Sequence, residues 1–316
     1  MTAWGYTLSS EEHPPATLVE LARQGEHAGF DFLTISDRFH PWIDEQGHSP
    51  FVWSVLGAVA GATERVRVGT GVTCPILRIH PAIVAHAAAT TALLFEGRFF
   101  LGLGSGEALN EHVLGQHWPV IETRQAMLEE SIAVMRKLWT GDVVDHHGDH
   151  YTVENARLYD VPDEAIPVVV SAFGEKAGEM AGRAGDGIWM TSPRDEAMAA
   201  YHAAGGSGPR IGQLTVCWAE SKDDAIATAH RVWPTSCVPG QLSQDLPTPA
   251  HFEQAVSLVR TDDIAGQIIC GPDPEPVLEA IRTYEEAGLD HIHLHQIGPD
   301  QQGFLDFWQR ELAPKV

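Results

Sequence analysis

One rhythm constrains this chain more than any other feature. Short apolar runs rich in Val, Ile and Phe recur eight times, each followed by an amphipathic stretch. The strand candidates are Trp4–Thr7, Phe32–Ile35, Val66–Thr70, Phe99–Leu103, Pro167–Ser171, Gly187–Met190, Gln213–Trp218 and His291–His295. Helical patterns cover Pro15–Ala28, Val52–Ala62, Pro81–Leu94, Thr123–Trp139, Ala177–Ala184, Asp223–Val232, Pro274–Ala287 and Gly303–Leu312. Strands alternating with helices imply a parallel sheet. The count and the length of 316 residues favour a closed (β/α)8 TIM barrel over a doubly wound open sheet, with residues 1–316 forming one domain. Two segments break the rhythm. Residues 140–165 read as a hairpin excursion, and residues 234–262 as a Pro-rich insertion. Insertions after barrel strands sit at the mouth and shape the ligand pocket.

Charge excludes several partners. Forty-three acidic residues against twenty Lys and Arg give a formal net charge of −23, which repels nucleic acid and anionic membrane. No apolar run is long enough to span a bilayer. The opening MTAWGYTLSSEEHPP has neither the basic nor the apolar region of a signal peptide, so a cytoplasmic protein is expected. Cys74, Cys217, Cys237 and Cys270 are far apart, which fits reduced, mostly buried thiols rather than disulfides or a zinc site. G-x-S-x-G, P-loop and HExxH motifs are missing, which argues against common hydrolases, NTPases and zincins.

Barrel enzymes carry their chemistry at the C-terminal ends of strands. That rule selects Ser9 and Glu11, then the dense run ISDRFHPW with Ser36, Asp37, Arg38, His40 and Trp42. It also selects GTGVTCP, GLGSGEALNE, SAFGEKAG, then Thr191, Ser192 and Arg194, and finally His295. The glycines of GLGSGEALNE allow close backbone approach, but their spacing is not that of the dinucleotide fingerprint. The segment is either a structural βα turn or a ligand loop led by Glu107. SAFGEKAG is either an ordinary helix cap or a phosphate-binding helix start. DHHGDHY at 145–151 reads as a solvated turn. In HIHLH the three histidines share one strand face, but His291 and His295 stand roughly 13 Å apart, too far to share a metal ion. The same alternation turns Ile292 and Leu294 outward and sets the histidines toward a pocket.

Taken together, GYTLSSEE, FLTISDRFHPW, VGTGVTCP, FFLGLGSGEALNEHVLG, YDVP and AGRAGDGIW resemble the luciferase-like (β/α)8 oxidoreductases. The similarity is to the branch using coenzyme F420, a deazaflavin, typified by the glucose-6-phosphate dehydrogenases. It covers nearly the whole chain. The resemblance implies that Asp37 contacts the deazaflavin ring and that Val72 supports its back face after a cis Gly71–Val72 peptide. Cys74, Ser105, Gly106 and Asn110 would line the cofactor site. Phe173, Gly174, Lys176 and Ala177 would hold its phosphate. Glu107 would be the catalytic carboxylate, Trp42 would stabilise the intermediate, and Glu11 matches a further acidic position. A homodimer is also implied. A deazaflavin moves a hydride, so a neighbouring side chain must move the proton.

Two departures matter. The sugar-phosphate enzymes carry a histidine, as base or relay, where this chain has Arg38. A guanidinium stays protonated and cannot be a base. His40 is then an alternative, as is a chemistry resting on Glu107. The sugar-phosphate site's three cations fall on Arg194, Ser243 and Gln267 here, so one of three survives and glucose 6-phosphate is not the expected substrate. The expected function is F420-dependent hydride transfer with a small alcohol, carbonyl, imine or alkene. The alternatives are an FMN-dependent monooxygenase on the same barrel and a non-catalytic deazaflavin-binding relative.

Overall fold

Strands buried on both faces need continuous apolar sequence, and the apolar runs of this chain form such strands. The computed structural model describes residues 2–316. Its barrel strands are β1 (Ala3–Leu8), β2 (Phe32–Ile35), β3 (Arg67–Thr70), β4 (Phe99–Leu103), β5 (Val168–Ser171), β6 (Gly187–Met190), β7 (Arg210–Cys217) and β8 (His291–Gln296). All pair in parallel with their neighbours, and β8 returns to β1 in the register Tyr6↔Leu294. The closed TIM barrel expected from the sequence is therefore the fold. A two-residue strand, Ile269–Cys270, adds to the outer end of β7 at Val216 and Cys217.

The period of two along each strand separates two cores. On β2, Leu33 and Ile35 face the helices in the main core. Phe32 points into the barrel and packs with Phe100, Val169, Trp189 and Ile211 to form its floor. One layer higher, the buried His293 ring takes a hydrogen bond contact from Thr7 at 2.7 Å and lies 4.6 Å from the Trp189 ring. The expected split of HIHLH holds here: His293 and His295 are buried inside, while Ile292 and Leu294 join the outer core.

Glycine is required where β3 and β4 press together. A Cβ on Gly102 would lie 2.0 Å from the Thr70 carbonyl oxygen and 3.1 Å from Val72. Gly102→Ala is expected to cost about 3 kcal/mol, the upper part of the usual overpacking range, because backbone must move to admit the methyl group. Urea denaturation would test this, and a loss below about 1 kcal/mol would contradict it.

The sequence reading needs three corrections. A helix at Asp195–Ala203 joins β6 to β7 where none was expected. Strand β7 begins at Arg210, earlier than expected. Only Cys74 and Cys217 are buried, while Cys237 and Cys270 are half-exposed. The 140–165 excursion is an antiparallel hairpin of Val144–His147 and Thr152–Ala156. The Pro-rich insertion folds into short helices, chiefly Leu242–Asp245 and Pro249–Val256. No helix among the described residues is long and apolar enough to cross a membrane.

Candidate active site

The strand ends converge through a few side-chain stitches. The loop after β1 is tied to the end of β2 by Ser10, whose N–H donates to Ser36 Oγ at 3.1 Å and whose hydroxyl donates to the Ser36 carbonyl. Ser36 in turn donates to Glu11 Oε2. After β3 the chain passes through a cis Gly71–Val72 peptide and runs on beside β4, with Thr73 N donating to the Gly102 carbonyl at 2.8 Å. Gly104 leaves room for Val72, since a Cβ there would lie 2.7 Å from a Val72 methyl.

Arg38 is the hub. It is 8% exposed, with Nε 3.5 Å from Glu11 Oε1 and Nη2 3.8 Å from Glu107 Oε2. Its guanidinium carbon lies over the Trp42 ring, 3.8 Å from the centroid, a cation–π contact. Glu107 leads the short helix Ala108–Glu111, and its Oε2 accepts from Asn110 Nδ2 at 3.1 Å. Asn110 Oδ1 accepts from the backbone N–H groups of Phe39 and His40. Glu11, Arg38, Trp42, Glu107 and Asn110 thus form one connected group.

Other expected site residues sit differently. Asp37 does not open onto the mouth: its carboxylate accepts from Thr73 Oγ1 and from Arg78 Nη2, both at 2.8 Å, and is fully enclosed. His40 forms no ion pair with Glu11 or Glu107 among the described residues. Its Nδ1–H donates to the Leu109 carbonyl at 3.0 Å, and its ring lies beside His112. Cys74 is buried behind Gly106, whose positive φ of 74° and contact with Cys74 Sγ both call for glycine. Phe173 and Lys176 are exposed at the helix Glu175–Ala184, with Lys176 Nζ 3.6 Å from Glu122. Gly174 is its N-cap without a side-chain cap, and Ala177 is half-buried. Thr191, Arg194 and Gln267 are exposed; Ser243 is half-buried and donates to the Gly240 carbonyl. No hydrogen bond or ion pair joins Arg194, Ser243 and Gln267 among the described residues. His295 is buried edge-on to Trp233, and its Nδ1 accepts from Gln213 Nε2. Burial lowers both His295 and His13 to about 4, so these rings are neutral.

Sequence reasoning missed several participants. Arg78 bridges Asp37 and the buried Glu111, bonding the latter through its N–H at 2.8 Å and Nε at 3.4 Å. Burial works against the Arg78 charge, but these two carboxylates outweigh it and raise its pKa. The spacing of Glu107 and Glu111 in EALNE, one helical turn apart, was the available signal. Gln46 accepts from Trp42 N–H and donates to the Val232 carbonyl, which fixes the Trp42 backbone. The insertion covers this end. Phe252 lies 5.1 Å from the Trp42 ring, in a cluster with Ile43, Leu109, Val238 and Leu246.

A sequence model of the luciferase-like monooxygenases matches residues 2–291. F420-dependent glucose-6-phosphate dehydrogenases from Segniliparus rotundus and Rhodococcus erythropolis are 38% and 37% identical, over 99% of this chain and 97% of theirs. The chain belongs to the luciferase-like family, in its F420-dependent oxidoreductase branch. Among solved members, an F420-dependent secondary alcohol dehydrogenase in complex with an F420–acetone adduct superposes with a TM-score of 0.91 at 30% identity, covering 99% of this chain and 98% of that one. A coenzyme F420-dependent tetrahydromethanopterin reductase from Methanopyrus kandleri shares the luciferase-like fold, with a TM-score of 0.79 at 19% identity and 99% of each chain covered.

The residues present fit a deazaflavin. Gly104 and Gly106 let the loop after β4 press against Val72 and Cys74, bringing Val72, Gly106 and Asn110 together beside Glu107 where a flat ring could lie against small groups. The uncapped N–H groups at Gly174–Ala177, with Lys176 alongside, suit an anionic tail.

Proposed function

We propose that this protein is an F420-dependent oxidoreductase that passes a hydride between the deazaflavin and a small alcohol, carbonyl, imine or activated alkene other than glucose 6-phosphate. The observation that carries this reading is the Arg38 guanidinium, flanked by Glu11 and Glu107 and stacked on Trp42. The bound deazaflavin supplies or takes the hydride. Val72, Ser105, Gly106 and Asn110 would hold its ring, and Phe173, Gly174, Lys176 and Ala177 its phosphate. Arg38 would fix the two carboxylates and hold partial negative charge on the substrate oxygen. Glu107 would move the proton at the ring, and Trp42 would screen the reacting carbon from water. Thr191, His295 and the insertion would contact the substrate.

Two features support the substrate reading. Arg194 is the one cation at the three positions considered for a sugar phosphate, and neutral imidazoles line the β1 and β8 ends. The exposed Ile83, Leu93 and Leu94 on the apolar helix Pro81–Leu94, with Phe51 nearby on the adjacent helix start, support a homodimer through this face. The four unpaired thiols support a cytoplasmic setting.

Titration with oxidised F420 and, separately, FMN tests the reading. Tight F420 binding with negligible FMN binding is expected, followed by turnover of neutral alcohols or carbonyls in preference to glucose 6-phosphate. FMN binding alone would move the protein to the flavin monooxygenases, and F420 binding without any turnover would make it a carrier.

A further inference from the structure

Position 38 carries a cation, so a proton released or consumed by the substrate needs another route. Glu11 is 4% exposed and cannot trade protons with bulk water directly. Behind it stands a second carboxylate. Glu12 Oε1 accepts from the Trp233 indole N–H at 2.8 Å, and its Oε2 accepts from Gly298 N–H at 2.7 Å. The Ser9 hydroxyl lies between the two acids, 3.3 Å from Glu11 Oε2 and 3.2 Å from Glu12 Oε1.

A hydroxyl has a single proton to give. Ser9 can donate to one carboxylate, and it meets the other favourably only when that oxygen itself bears a proton. No cation offsets Glu12. The titratable groups that face it are Tyr6 from β1, Glu11 beside it and Cys217 from β7, none of them positive. Arg38 pairs with Glu11 and Glu107 instead. Desolvation by the surrounding protein pushes Glu12 up to about 7, against the pull of Trp233 and Gly298. As a whole residue Glu12 is half-buried, whereas Glu11 is 4% exposed, so of the two acids Glu12 lies nearer the surface.

We infer that Glu12 is a proton-relay residue, exchanging the substrate's proton with Glu11 through the Ser9 hydroxyl and passing it to water. This rests on the oxidoreductase reading above. In the oxidising direction the substrate O–H proton goes to Glu11 as the C–H hydride leaves for the oxidised deazaflavin. Glu11 then gives a proton to Ser9 Oγ while the Ser9 proton moves to Glu12, which releases it to solvent. In the reducing direction each transfer runs backwards, and the reduced deazaflavin supplies the hydride.

Infrared difference spectroscopy of the cofactor-free protein tests the proton, and steady-state kinetics tests the relay. The wild type is expected to show a protonated-carboxyl stretch that disappears as pH rises through about 7. That band is absent in Glu12→Gln and retained in Ser9→Ala. With F420 and substrate, both variants are expected to lower kcat about tenfold with KM unchanged and to flatten the pH profile near neutrality, a smaller loss than removal of a direct acid or base. The absence of a titrating carboxyl band, or wild-type kcat and pH profile in both variants, overturns the inference. Failure to bind F420 would sink the oxidoreductase reading, and the relay with it, even with the infrared band present.

Discussion

Glu107→Gln is expected to lower kcat by about 10²- to 10⁴-fold, the range typical for loss of a positioned general acid or base. The substitution is nearly isosteric. A glutamine oxygen can still accept from Asn110 Nδ2, which now reaches Glu107 Oε2 at 3.1 Å. The loop that Asn110 fixes through Phe39 and His40 is therefore retained, and cofactor affinity and Tm should stay close to wild type. What is lost is the exchangeable proton and the negative charge 3.8 Å from Arg38. Single-turnover kinetics, with F420 affinity measured in parallel, separates the effects. A kcat within about threefold of wild type would exclude Glu107 as the proton-transfer group, because even modest acid–base contributions exceed that factor.

Arg78→Met carries the largest expected cost in stability. The Asp37 and Glu111 side chains are fully enclosed, and Arg78 is the cation that both contact. Its removal strands two buried carboxylates, and breaking a buried pair in this way costs about 3–5 kcal/mol. For a chain of this size that corresponds to a fall of roughly 5–8 °C in Tm. Calorimetry would measure it. The triple variant with Asp37→Asn and Glu111→Gln should recover much of the loss, since the penalty comes from uncompensated charge rather than from lost packing. A loss of under about 1 kcal/mol in Arg78→Met would mean that the ion-pair geometry contributes little, as at exposed pairs.

The barrel was legible because its signal is local. Runs such as FLTI and FFLGL are apolar at nearly every position, and strands covered on both faces require that. The helix Asp195–Ala203 escaped because DEAMAAYHA buries only Ala197 and Tyr201, a stripe too narrow to read as amphipathic. In the site, residue identity was legible and direction was not. ISDRFHPW advertised its acid, guanidinium, imidazole and indole. Which of them turned inward was set by partners far along the chain: Arg78 and Thr73 for Asp37, Leu109 for His40, Glu11 and Glu107 for Arg38. Glu12 was invisible for the same reason, since Trp233 and Gly298 meet it only after the barrel closes.

The wall over the mouth is also the support of the indole beneath it. Phe252, fully buried in the insertion, packs against Trp42, and Trp42 carries the Arg38 guanidinium on its face. A smaller residue at 252 would leave a cavity beside the Trp42 indole and free the ring that carries the Arg38 guanidinium. On the proposed function, any change made through this wall is thereby geared to a loss of turnover, whereas the exposed Thr191 and Arg194 bear no such weight.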